Sequence, residues 1–262
     1  MKFRNRKSEG MAISEHELTV MTADLEQIHN DIGMPAMNAA IHEWTEKTRT
    51  NRRGFLIGAG AVAGGALLAA CSAGSSSPTT TKASGGSTST TGNKLTGDLA
   101  VAALAASLEN LAVTAYGDVL TAATAGKLGT VPPAVGTFVT TVMAQHSQHA
   151  AAWNSAITAA GHPAITTPDP VLTPIVVADF KKVTDITGAA KLALTLENTA
   201  AATYQSAISA VKAKSSVGVA ASIQPVEMQH AAILNFVLGQ YPVPLAFSTT
   251  TAARPLTDYT KG

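Results

Sequence analysis

Along the last two thirds of the chain the apolar positions are mostly Ala, Val and Leu, with few of the alternations that mark strands, a pattern that predicts helices. Four segments carry it: 97–126, 132–160, 188–214 and 216–238. At about 1.5 Å per residue they make rods of roughly 35 to 45 Å. Gly126, Gly129, Pro132 and Pro133 punctuate the first turn, so the first two helices fold back on each other. The stretch 161–187 differs, because Pro163, Pro168, Pro170 and Pro174 stand near its start and keep the second helix from turning straight into the third. The prediction is an all-α four-helix bundle of two helical hairpins joined by one long crossover, not a plain up-and-down bundle. Pro225 falls inside the fourth segment, where its ring meets the carbonyl of Ala221. Either a new helix starts there, with Ser222 or a neighbour as cap, or the helix runs through with a kink; the apolar Val217, Val219 and Ile223 favour the kink.

Upstream the pattern changes. Arg52-Arg53 leads into an apolar run, Phe55 to Ala70, that ends in Leu68-Ala69-Ala70-Cys71. Paired arginines occur by chance, but paired arginines, a Gly/Ala-rich run and small residues before the single cysteine form a specific conjunction. It resembles a twin-arginine signal peptide with a lipoprotein box. As a membrane helix the run would reach only about 24 Å, short of a ~30 Å hydrocarbon core. The resemblance implies that the export translocase reads Arg52 and Arg53. Cys71 then becomes the first mature residue and carries a lipid membrane anchor worth about 0.8 kcal/mol per buried methylene. The protein would sit on the outer face of a bacterial cytoplasmic membrane or cell envelope.

The chain therefore divides into an extended leader and signal, 1–71, a Ser/Thr/Gly tether, 72–96, a helical domain, 97–247, and a tail, 248–262. The tether has no apolar periodicity and cannot bury enough surface to fold; its Thr-rich makeup also suits sugar attachment. The first 49 residues hold eight acidic and six basic side chains, unusual for the start of a signal, and Met11, Met21, Met34 and Met37 are alternative starts. Whatever precedes Arg52 is read as discarded at cleavage, and His16, His29 and His42 receive no role.

A formal net charge of +1, with no basic cluster after residue 53 larger than Lys181-Lys182, argues against nucleic-acid binding. A lone cysteine excludes an intrachain disulfide and a cysteine-rich zinc site.

The candidate chemistry lies in an internal repeat. Leu108-Glu109-Asn110 precedes Tyr116 as Leu196-Glu197-Asn198 precedes Tyr204, with the same Glu-to-Tyr spacing of seven, and Gln148-His149-Ala150-Ala151 matches Gln229-His230-Ala231-Ala232. In antiparallel hairpins Glu109 comes level with His149, and Glu197 with His230. Residues three apart share a helix face, so His146 with His149 and Glu227 with His230 can point inward together. Six N/O donors at one level can bridge two metal ions. From Cys71 on, the chain has three Glu, all in this set, and four His, of which only His162 lies outside it. Buried carboxylates without a cation are costly, which favours a metal over Glu and His that satisfy one another by hydrogen bonds.

Ferritin-like di-iron proteins use a Glu from each of two helices and a Glu-x-x-His from each of the other two. Residues 97–247 resemble that ferritin-like domain at five of six positions, His146 standing where Glu is expected; Pro242 to Phe247 is also similar to how such domains end. The resemblance implies iron, one ion or two, with manganese or zinc as alternatives, and in some relatives ferroxidase, oxygen or peroxide chemistry. Tyr116 and Tyr204 would hydrogen-bond the ligands or act as redox-active phenols, with packing the commoner fate. Trp153, Met143 and Met228 read as core, and Asn110 and Asn198 as inter-helix donors. The rival reading is a non-catalytic, partner-binding helical lipoprotein with a degenerate site. Passive metal storage is a third, although a lipid anchor and tether do not suit a closed shell.

Overall fold

A computed structural model of the chain describes residues 14–46, 95–245 and 247–256. Arg52, Arg53, Cys71, the apolar run 55–70 and almost the whole tether lie outside the described residues. Those described are helical, with no strand among them. The four expected rods are present as α3 (Asp98–Thr124), α4 (Pro133–Ala159), α6 (Ile186–Ala210) and α7 (Lys214–Val237). Three further helices precede or interrupt them: α1 (Glu15–Ile28), α2 (34–46), joined to α1 by a π-helical turn at His29–Gly33, and α5 (Leu172–Phe180) in the crossover.

Local chemistry sets the helix ends. Pro133 opens α4 at a position that has no N–H to lose. At the far end Gly161 takes φ +89°, and the amide of His162 reaches back to Ile157 O at 3.1 Å, closing the last turn in a left-handed cap that a Cβ would strain. Gly239 closes α7 in the same way, Gln240 N reaching Asn235 O at 2.8 Å. Asp185 caps α6 by accepting from Gly188 N at 2.7 Å.

α3 packs along α4, and α6 along α7, as two hairpins. The hairpins meet along two looser seams, α3 beside α6 and α4 beside α7. The crossover lies over the first seam. Asn110 and Asn154 each donate to Ile165 O at 2.9 Å, and Asp169 caps α5 through Val171 N and Leu172 N. Asn110 thus ties its helix to the crossover and not to another helix, while Asn198 is exposed. The tail is also docked: Arg254 pairs with buried Asp169 at 3.2 Å, and its amide donates to Thr203 Oγ1 at 2.9 Å.

α7 runs through Pro225 as one helix, with no new start at the proline. Both Pro225 and Ala221 lie on its exposed side, so water satisfies the carbonyl that the proline leaves without a donor.

The second seam is covered by residues that the sequence treats as leader. α1 lies against α4 and α7, and the π turn against α7. Leu18 and Leu25 of α1 join one apolar cluster with Tyr116, Phe138, Val142 and Leu234. Met37 and Ala40 of α2 join a second with Trp153, Tyr204, Val219 and Ile223. In the full chain, residues 15–46 are therefore part of the fold, beyond the reading of this segment as one discarded at cleavage.

Candidate metal centre

Between the two apolar clusters the bundle interior turns polar. Glu109 on α3, His146 and His149 on α4, Glu197 on α6, and Glu227 and His230 on α7 are each no more than 2% exposed. All six predicted donors come together. His146 Nδ1 lies 2.7 Å from Glu109 Oε2 and its Nε2 3.2 Å from Glu197 Oε1, so one ring spans both hairpins. His149 Nδ1 is 3.0 Å from Glu227 Oε1, and His230 Nδ1 is 3.2 Å from Glu197 Oε2.

Two four-donor sets result, Glu109, His146, His149 and Glu227, and His146, Glu197, Glu227 and His230; within each the ligand atoms lie within 4.8 Å of one another. His146 and Glu227 belong to both. Glu227 is fully buried, yet neither of its carboxylate oxygens has a hydrogen-bond partner. Its approach to His149 is close but off the line of a hydrogen bond, as when ligands aim at a shared point rather than at each other. A buried carboxylate without a hydrogen bond is costly, and a cation at that point relieves it. The donor set fits a divalent transition metal.

Side chains behind the donors fix their orientation. Tyr116 on α3 donates to Glu197 Oε1, and Tyr204 on α6 to Glu109 Oε1. Each tyrosine serves the glutamate of the other hairpin, which requires α3 and α6 to run antiparallel. The expected packing role also holds: Tyr204 stacks on Trp153 at 6.2 Å and receives its indole N–H at 2.9 Å. Trp153 is wholly buried, whereas Met143 and Met228 are only partly so.

Sequence reasoning missed Gln145, whose Oε1 is 2.7 Å from His230 Nε2. A proton held there leaves Nδ1 free to serve as a ligand atom. The available signal was a polar Gln145 one turn before His149 on an otherwise small-residue face. It also missed His29, whose ring lies 5.3 Å from that of His149.

A model of the ferritin-like domain family matches residues 97–240. The chain belongs to the ferritin-like family. No curated protein and no solved structure matches it. The matched span contains every donor of both four-donor sets in the ferritin-like domain and ends before the exposed Tyr241, Val243, Leu245 and Phe247.

The charges of this ferritin-like core explain how it holds together around acidic groups. Burial works against a charged His146, but Glu227 and Glu197 outweigh it and lift its pKa well above the ordinary value. Burial likewise opposes a charged His149, and Glu109 and Glu227 raise it to about 9. Burial pushes Glu109 and Glu197 up; the facing imidazoles more than reverse this and hold both carboxyls below their usual range. Burial, together with the neighbouring carboxylates, keeps Tyr116 and Tyr204 protonated to high pH, as donors require.

Proposed function

We propose that the protein binds iron, or another divalent transition metal such as manganese or zinc, at the Glu/His cluster, and that it does so at the cell envelope. The observation that carries the metal reading is Glu227, fully buried, common to both donor sets and without a hydrogen bond to either oxygen. Both sets also require His146, so one ion binds tightly and a second more weakly. Iron supplies one-electron exchange with oxygen or peroxide when bound. The chain's own part is to orient and exclude water: Tyr116 and Tyr204 hold the outer oxygens of Glu197 and Glu109, Gln145 fixes the tautomer of His230, and the two apolar clusters keep bulk water out.

Elemental analysis of protein purified from its own host tests this directly. Metal near one equivalent supports the reading, and near-zero metal under all growth conditions overturns it. His149→Ala and His230→Ala should each cut metal content strongly with helicity retained, since the ligand goes while the apolar faces remain.

One observation favours a second reading, the scaffold with a degenerate site. His146 already faces Glu109 and Glu197 through both ring nitrogens, an arrangement that a protonated imidazole satisfies without any ion. Near-zero metal would select it.

The export half of the proposal rests on the sequence conjunction of Arg52, Arg53, the apolar run and Cys71. The twin-arginine route carries folded proteins, which lets a metal be inserted before export. Lipidation at Cys71 then tethers the domain to the outer face of the membrane. Cys71→Ala should abolish lipid attachment, and Arg52→Lys with Arg53→Lys should block export. Unchanged membrane association of the cysteine variant would mean that the apolar run itself stays in the membrane.

A further inference from the structure

The Glu/His cluster sits between two hairpins that meet along two seams. On the α3–α6 side a cavity of about 20 Å³ touches Glu109, His146 and Glu197, with Leu172 of α5 among its lining residues. That is room for one water-sized molecule and not for a hydrated ion. On the α4–α7 side the seam is filled by the N-terminal helices.

Their fit is specific. α1 contributes Leu18 and Leu25 to the apolar cluster on one side of the metal level, and α2 contributes Met37 and Ala40 to the cluster on the other. The π turn between them therefore falls level with the polar donors. One residue more per turn re-aims a side chain, which is why such turns recur at functional sites. Here it turns His29 inward, 2% exposed, with its ring 5.3 Å from that of His149. His29 Nε2 donates to Gln148 Oε1 at 2.7 Å, while its Nδ1 has no partner; neither has the Nε2 of His149. The opposite wall is equally close: a Cβ on Gly33 would lie 4.0 Å from Val226, the neighbour of Glu227, and one on Gly218 of α7 would lie 3.0 Å from Ala40.

We propose that residues 15–46 are a built-in cover over the metal centre, seated by His29 against His149, and that a bound ion exchanges with solvent only when this cover lifts. The proposal rests on the metal reading above. On the export reading it has a direct consequence: cleavage before Cys71 removes the cover, so the precursor retains its ion and the mature protein exposes it.

The test uses the full chain loaded with Co²⁺ and measures release to excess EDTA, with far-UV circular dichroism as the check on folding. His29→Ala removes the seat. Gly218→Leu forces α2 away from α7 without touching His29 or any donor. Leu172→Ala opens the opposite seam. Release should quicken at least about tenfold in the first two variants and stay within about twofold of the parent in the third. Parental rates in both His29→Ala and Gly218→Leu, or faster release only in Leu172→Ala, overturn the cover. A parent that binds no Co²⁺ fails at the metal reading itself and removes the basis of both.

Discussion

His146 is the position at which this site departs from the two-glutamate, two-Glu-x-x-His arrangement, and His146→Glu tests what that departure does. His146 reaches Glu109 at 2.7 Å and Glu197 at 3.2 Å, and a protonated ring there holds two buried carboxylates together when no ion is bound. Glutamate at that position breaks both contacts and adds a like charge. Breaking a buried ion pair costs about 3 to 5 kcal/mol, and at about 2 to 4 °C per kcal/mol the melting temperature in chelator should fall by roughly 6 to 20 °C. With metal the sign reverses. Three carboxylates become four and match the charge of two divalent ions. Unit charges 4 Å apart attract by about 4 kcal/mol at an effective dielectric constant of about 20, and desolvation removes much of it. A net gain near 1.4 kcal/mol is about tenfold in the affinity of the second ion. Titration with Fe²⁺ under argon, read by elemental analysis after desalting, should give two retained ions in the variant against one in the parent. A variant that keeps no more metal than the parent, with unchanged melting in chelator, would refute the reasoning.

Glu227→Gln removes the one carboxylate common to both donor sets and should leave less than about a tenth of the metal, whereas Glu197→Gln, confined to one set, should leave a larger share; equal losses in elemental analysis would show that the sets are not independent. Tyr204→Phe strands both Glu109 Oε1 and the indole N–H of Trp153, and denaturant unfolding should register about 1 to 3 kcal/mol of destabilisation. In chelator the pH dependence has a definite sign. His149 is raised from 6.5 to about 9 on folding, so its contribution is complete below 6.5 and is lost as pH rises through 9. Glu109 is lowered, so its contribution holds above its ordinary 4.5 and is lost as pH falls below it. Melting in chelator should therefore fall between pH 6.5 and 9.5, while the metal-loaded form, whose imidazoles carry no competing proton, should not; a rise in chelator over that range would count against the ionised cluster.

The sequence determined the rods and the donors. Small apolar residues without alternation allow only helices, and prolines at 163, 168, 170 and 174 force a long crossover. A repeat of Glu, Tyr, Gln and His in a glutamate-poor chain marks the inward face before any coordinates exist. Helix periodicity is local, so it is legible one segment at a time. What pairs across segments is not. Tyr116 serving Glu197, and Tyr204 serving Glu109, depends on α3 and α6 running antiparallel, which no single helix encodes. The tolerance of Pro225 depends on its facing water, which is set by the packing of α7 as a whole. Most of all, residues 15–46 read as leader because they precede Arg52 and the apolar run, yet Leu18, Leu25, Met37 and Ala40 are buried in the two apolar clusters of the bundle. His29 reaches His149 through a π turn whose extra residue no helical period announces, so its place beside the buried Glu/His cluster was decided by the tertiary structure alone.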